Sequence, residues 1–191
     1  MANFEMLPVN LTNHFLIAMP GMVDPYFSKT LTFICEHNDK GALGLVVNKP
    51  IDVTLGNLFE QVEIPLDDQA LSAQSLYFGG PVQVDRGFVL HEPHGVWSSS
   101  LKVGPHLALT TSKDILEAMA KGEGPRRQLI TLGYAGWSAG QLEEEIKKNG
   151  WLTVEADPET IFGLSAEARL EGAMAKLGLN FGNLSDQAGH A

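Results

Sequence analysis

Cys35 is the only cysteine of the chain, and His37 stands two residues after it. A thiol beside an imidazole is a nucleophile beside its base: a neighbouring His lowers the thiol pKa, and the thiolate is the reacting species. In "TFICEHN" (32–38), regular strand alternation puts Phe33, Cys35 and His37 on one face, with Ile34 and Glu36 on the other. Same-face Cα atoms two residues apart are separated by ~6.5–7 Å, so the two side chains meet only in favourable rotamers. Cys35 and His37 are therefore weak catalytic candidates, for a thiol-dependent or hydrolytic enzyme. The competing reading is a small buried side chain next to a strand-end histidine.

"HEPHG" brings His91, Glu92 and His94 together, with His106 further on. A metal needs ligands that converge, as two His do at i,i+4 on a helix. Here an i,i+3 pair spans a proline, so the histidines read as surface or loop residues and no metal site is expected. Gly133-x-x-Gly136-x-x-x-Gly140 is neither the dinucleotide fingerprint nor the Walker loop. Glu143, Glu144 and Glu145 follow it directly and would repel a polyphosphate. No Gly-x-Ser-x-Gly elbow or EF-hand spacing occurs, and no cofactor is expected. What remains for a ligand is backbone freedom beside aromatic rings: Gly79 and Gly80 in "FGGPVQ", with Tyr134 and Trp137.

The elements that would carry these residues are marked by period and caps. Strands are expected over 14–20, 29–37, 42–50, 76–80, 86–91, 107–111, 127–135 and 151–156. "NDKG" (38–41) joins the second and third as a hairpin. "EPHGVWSSSLKVG" (92–104) reads as a mobile loop and 61–75 as a surface excursion. Thr54 caps a short helix bearing Leu55, Leu58, Phe59 and Val62. "TSKD" (111–114) and "SAGQ" (138–141) fit capping boxes, with Gly122 ending the first of these helices. Glu143–Lys147 and Glu144–Lys148 are expected as i,i+4 pairs. Asp157-Pro158 starts a turn of helix, and Leu170, Ala173, Met174 and Leu177 trace one face of a final helix closed by Gly178. The class is α/β, mixed α+β: one compact domain over 1–191, with a mixed sheet of about eight strands and packed helices.

A chain of 191 residues with 44% hydrophobic residues can bury a full core. One cysteine excludes an internal disulfide framework and suits a reducing compartment. Neither a leader nor a membrane span is read from the sequence, so the cytoplasm is expected. The net charge is −10, and the adjacent basic pairs are Arg126-Arg127 and Lys147-Lys148. Direct nucleic-acid binding is disfavoured on that ground.

Several long motifs, in order, resemble the YqgE/AlgH family of bacterial proteins: "FLIAMPGMVDPYF" (15–27), "ICEHNDKGALGLVVNKP" (34–50), "FGGPVQVDRGFVLH" (78–91), "LGYAGWSAGQLEEEIKKNGW" (132–151) and the terminal "GHA" (189–191). Leu170 after Arg169 departs from the family pattern, where a tryptophan is expected. The resemblance implies a compact α/β fold and a cytosolic bacterial protein of no established activity. Its name carries a suggestion of transcriptional regulation of exopolysaccharide synthesis, and no catalytic residues come with it. The leading expectation is a non-enzymatic regulatory or small-ligand-binding protein, with a small molecule or another protein as partner. The enzyme built on Cys35 and His37 is the alternative, and a DNA-binding regulator ranks behind both.

Overall fold

Ten strands and five α-helices follow one another in residues 10–22 and 24–179, the part of the chain that the computed structural model describes. β1 (His14–Ala18), β2 (Leu31–Asn38), β3 (Gly41–Val46) and β4 (Pro50–Thr54) lead into α1 (Leu55–Gln61) and the short α2 (Gln69–Ser72). β5 (Ser75–Phe78), β6 (Val82–Glu92), β7 (Ser100–Val103) and β8 (Leu107–Thr110) precede α3 (Lys113–Ala120). β9 (Arg127–Ser138), α4 (Gln141–Lys147), β10 (Trp151–Glu155), a π-helical turn (Glu159–Gly163) and α5 (Ala166–Ala175) complete the order. The terminal "GHA" motif lies outside the described residues.

The main path of the sheet runs β10-β1-β2-β3-β9-β6-β8-β7, with β5 added to β9 and β4 to β5. The β5–β9 pairing is parallel and the others are antiparallel, so the sheet is mixed, as expected. The β2–β3 hairpin turns where "NDKG" places it. Two strands are additional to those expected, and β6 and β9 run longer than 86–91 and 127–135. The run 42–50 stops at Val46 and a separate strand starts at Pro50, while Ser100–Val103 pairs with β8 inside the segment read as a loop. Only Leu101 and Val103 alternate there, too short a pattern to stand out from a loop.

β9 spans both halves of the sheet, and Gly133 changes its face pattern. Before the glycine, Leu129 faces the central core and Ile130 the outer core beneath α1 and α3. After it, Tyr134 faces the central core while Ala135 and Trp137 face a third core with Trp151 and Leu142 of α4. Gly133 has φ +77°, a left-handed conformation that interrupts the two-residue period. One strand thus serves three hydrophobic clusters. The central cluster is closed by Ile161 of the π-helical turn and by Leu170, Ala173 and Met174 of α5.

Caps decide where the helices begin. Thr54 caps α1 as expected, in a reciprocal box with Asn57. The boxes at 111–114 and 138–141 do not form as drawn: Ser112 and Gly140 are the N-cap residues, and neither makes a side-chain cap bond. Ser138 still belongs to β9, and Gln141 Oε1 accepts from its N–H at 3.0 Å, which is half of the expected box. Asp157 accepts from the Thr160 N–H at 3.0 Å, but the N-cap position of its turn is Pro158, one residue later than expected. Leu177 lies past α5 and is exposed, so it does not share the buried face of Leu170, Ala173 and Met174.

Candidate functional site

The Cys35–His37 pair is not assembled. Ile34 pairs with Gly44, but the next partners are Glu36 and Leu43, which leaves Cys35 as the extra residue of a β-bulge. Cys35 stays on the central-core side with Phe33. His37 sits opposite Ala42, which packs into the third core against α4. The bulge shifts the alternation by one residue, so the thiol and imidazole leave opposite faces of β2. Burial pushes the Cys35 thiol far above its ordinary value, and the Glu36 charge adds to the shift. A thiol that does not ionise is no nucleophile.

His37 has a structural task instead. Its Nδ1 accepts the Leu11 N–H at 3.0 Å, so the ring proton is on Nε2, which faces Glu143. That contact draws Glu143 away from the expected partner Lys147, which lies 3.5 Å from Glu144. The histidine ties the segment before β1 to α4.

The glycine-and-aromatic set does not line one cleft. A Cβ on Gly79 would lie 2.2 Å from the Gly133 carbonyl oxygen, and one on Gly80 would lie 2.1 Å from the Tyr134 carbonyl carbon. Both glycines exist so that the β5–β6 turn can lie on the β9 backbone. Tyr134 packs edge-to-face on Phe88 at 5.4 Å on the central side. Trp137 packs on the other side, 6.2 Å from Phe27 and 6.3 Å from Trp151. Close packing takes up the space that these residues were expected to leave for a ligand.

The histidines also stay apart. His91 is fully buried rather than on the surface, with Nδ1 donating to the Pro93 carbonyl at 2.9 Å and Nε2 accepting from Thr110 Oγ1 at 2.7 Å. Its burial lowers its pKa. His94 bonds the Gly104 carbonyl at 3.1 Å, while Glu92 is bound to Arg127. Among the described residues no three His, Cys, Asp or Glu side chains converge as a metal site would require.

The open site lies elsewhere. A cavity of about 710 Å³ is bounded by Ser75 and Tyr77 of β5, Arg127–Ile130 of β9, Phe162 of the π-helical turn, and Ala166, Glu167 and Arg169 of α5. Small-molecule sites occupy roughly 300–1,000 Å³. Burial of Leu170, Ala173 and Met174 in the central core fixes α5 and thereby the side on which Arg169 projects. Arg169 is only 7% exposed; its Nη1 donates to the Val47 carbonyl at 2.7 Å and its Nε to the Leu164 carbonyl at 3.2 Å. Its guanidinium lies 5.0 Å from the Tyr77 ring centre. Among the described residues no carboxylate pairs with it.

The other two arginines of the cavity are differently placed. Arg127 binds Glu92 through Nε and Glu159 through Nη1 at 2.6 Å, and these bonds raise its pKa, Glu92 contributing most. Arg126 is largely exposed at the rim, 3.5 Å from Glu92. Gln128 donates to Gln74 at 3.2 Å beside them, an amide pair that also lines the cavity. These groups come from β5, β9, the π-helical turn and α5, and no local motif joins them. The one sequence signal was the Arg126-Arg127 pair.

Comparison with known proteins shows what the chain as a whole is similar to. A family model described as AlgH-like matches residues 15–182. A UPF0301 protein of Ralstonia nicotianae is 60% identical over 184 residues, spanning 96% of this chain and 97% of that one. One from Thiobacillus denitrificans is 61% identical over 183 residues, spanning 96% and 98%. The solution structure of the AlgH protein from Pseudomonas aeruginosa superposes with a TM-score of 0.80 at 49% identity, over 97% of this chain and 98% of that one. A Corynebacterium diphtheriae protein shares the fold at 21% identity, with a TM-score of 0.69 over 87% and 86%.

Proposed function

The chain belongs to the AlgH-like family, and from that premise we propose that it is a non-enzymatic small-ligand-binding protein whose site is the cavity between β5, the start of β9 and α5. The observation that carries this reading is the cavity itself. It has the volume of a metabolite site and is lined by two aromatic rings, an amide pair and three arginines. That mixture of apolar walls with a few placed polar groups is what orients a small molecule.

Its output is regulation through a protein partner in the cytoplasm. A net charge of −10, with two of the three cavity arginines already bound to or near Glu92, opposes a direct grip on nucleic acid. Among the described residues no helix is long and apolar enough to cross a membrane. Thermal-shift screening against nucleotides, sugars and organic acids tests the reading. A ligand at 100 times its dissociation constant adds ~2.7 kcal/mol of stability. Flat melting curves across a broad library, or hits that perturb amides remote from Arg127–Ile130 and Ala166–Glu167, would contradict it.

A further inference from the structure

Resting on the ligand-binding reading, we propose that the occupant of this cavity is anionic, a phosphate ester or carboxylate whose charged group is held by the Arg169 guanidinium and the first turn of α5. Two independent features converge on one place. Arg169 is buried, with 7% of its surface exposed, and the two acceptors it has are neutral carbonyls. Buried arginines are ordinarily paired with a carboxylate, because an isolated charge in the interior is strongly disfavoured. Nη2 of Arg169 has no protein acceptor among the described residues, and the side chain lines the cavity. A planar guanidinium with free N–H groups is suited to two parallel bonds with a carboxylate or phosphate.

The second feature is the helix itself. α5 runs from Ala166 to Ala175, and its N-cap Ser165 makes no side-chain cap bond. Ala166 and Glu167 of the first turn line the same cavity as Arg169. Unsatisfied N–H groups and the positive end of the helix dipole favour an anion there.

The charges around the cavity are balanced in number but not in position. Arg126, Arg127, Arg169 and Glu167 line it, and Glu92 and Glu159 join them as ion-pair partners of Arg127. Glu92 and Glu159 are both engaged by Arg127, and Glu92 also lies near Arg126. Glu167 is exposed and, among the described residues, makes no ion pair. The buried positive charge at Arg169 is left for the ligand, Arg126 attracts an anion at the rim, and Glu167 weakens its binding.

The test is titration of the full chain with inorganic phosphate, phenyl phosphate and benzoate, followed by amide NMR, with phenol and benzyl alcohol as neutral counterparts. The expected result is saturable movement of the Ala166 and Glu167 amides and the Arg169 Nε–H by phenyl phosphate or benzoate. Glu167→Gln removes a nearby like charge without touching a hydrogen bond and should tighten the anion about threefold or more. Arg126→Gln should weaken it by a similar factor. Arg169→Lys, which keeps the charge and loses the fork, should weaken it further. If neutral compounds occupy the cavity while the anions leave these signals still at millimolar concentration, the anion assignment is wrong and the ligand-binding reading stands. If no compound of either kind moves them, both fall. Anion binding unchanged by Glu167→Gln would place the anion elsewhere and overturn the assignment.

Discussion

The Arg169 guanidinium lies 5.0 Å from the centre of the Tyr77 ring, which joins α5 to β5 in the lining of the cavity. The same side chain reaches the Val47 carbonyl, 122 residues away in sequence. Arg169→Ala would strip two carbonyls of charged donors and remove buried aliphatic stem. The expected loss is about 2–4 kcal/mol in a urea-denaturation measurement near pH 7. A change within a few tenths of a kcal/mol would mean that the two hydrogen bonds carry little.

Cys35 should be inert in the native protein. Iodoacetamide should label it more slowly than a free thiol at every pH where the fold persists, and rapidly once urea unfolds the chain. Its folded pKa is raised, so above its ordinary value of 9.0 the unfolded thiol loses a proton that the native one keeps. The native state then binds more protons, and stability falls with rising pH by up to about 1.4 kcal/mol per unit. Replacement by alanine should remove this component of the alkaline slope.

His91 gives the opposite sign. Desolvation lowers its pKa from 6.5, His94 adds to the lowering, and the bond to the Pro93 carbonyl opposes it. As pH falls below 6.5 the unfolded chain takes up a proton that the native imidazole refuses, so stability falls toward acid. Urea midpoints at descending pH should show this slope, and His91→Gln should flatten it. An unchanged slope in the variant would assign the acid sensitivity to other groups.

Gly80 should tolerate no side chain. Its φ is +154° and an added Cβ would sit 2.1 Å from the Tyr134 backbone, so Gly80→Ala should cost about 2–4 kcal/mol. Gly21→Ala, with nothing within 4 Å of the added atom, is the matched control and should stay within about 0.5 kcal/mol. Equal melting temperatures for the two variants would contradict the close approach of the β5–β6 turn to β9.

The fold was legible where period and composition act locally. The β2–β3 hairpin, the α1 cap and the buried face of α5 each follow from a handful of adjacent residues. It was illegible where one residue changes the phase of a strand. Nothing in "TFICEHN" announces the bulge at Cys35, yet that bulge is what separates the thiol from His37. Gly133 is visible as a glycine, but its exchange of faces along β9 depends on three clusters that only the folded chain brings together. Glu143 shows the same limit: its helix partner lies in register, and a histidine 106 residues away takes it instead. The cavity draws on four separated segments, so the exposed Arg126 and its neighbour gave the one trace of it in charge, and Arg169 stood out only as part of a family pattern.

The central claim is that the cavity between β5, β9 and α5 is where this protein binds a small molecule. The most direct measurement is amide and arginine side-chain NMR of the full chain, taken with the compounds that raise its melting temperature. The account predicts saturable shifts confined to Arg127–Ile130, Ala166, Glu167 and the Arg169 Nε–H. Shifts centred on Gly79, Gly80 and Trp137, or none for any stabilising compound, would contradict it.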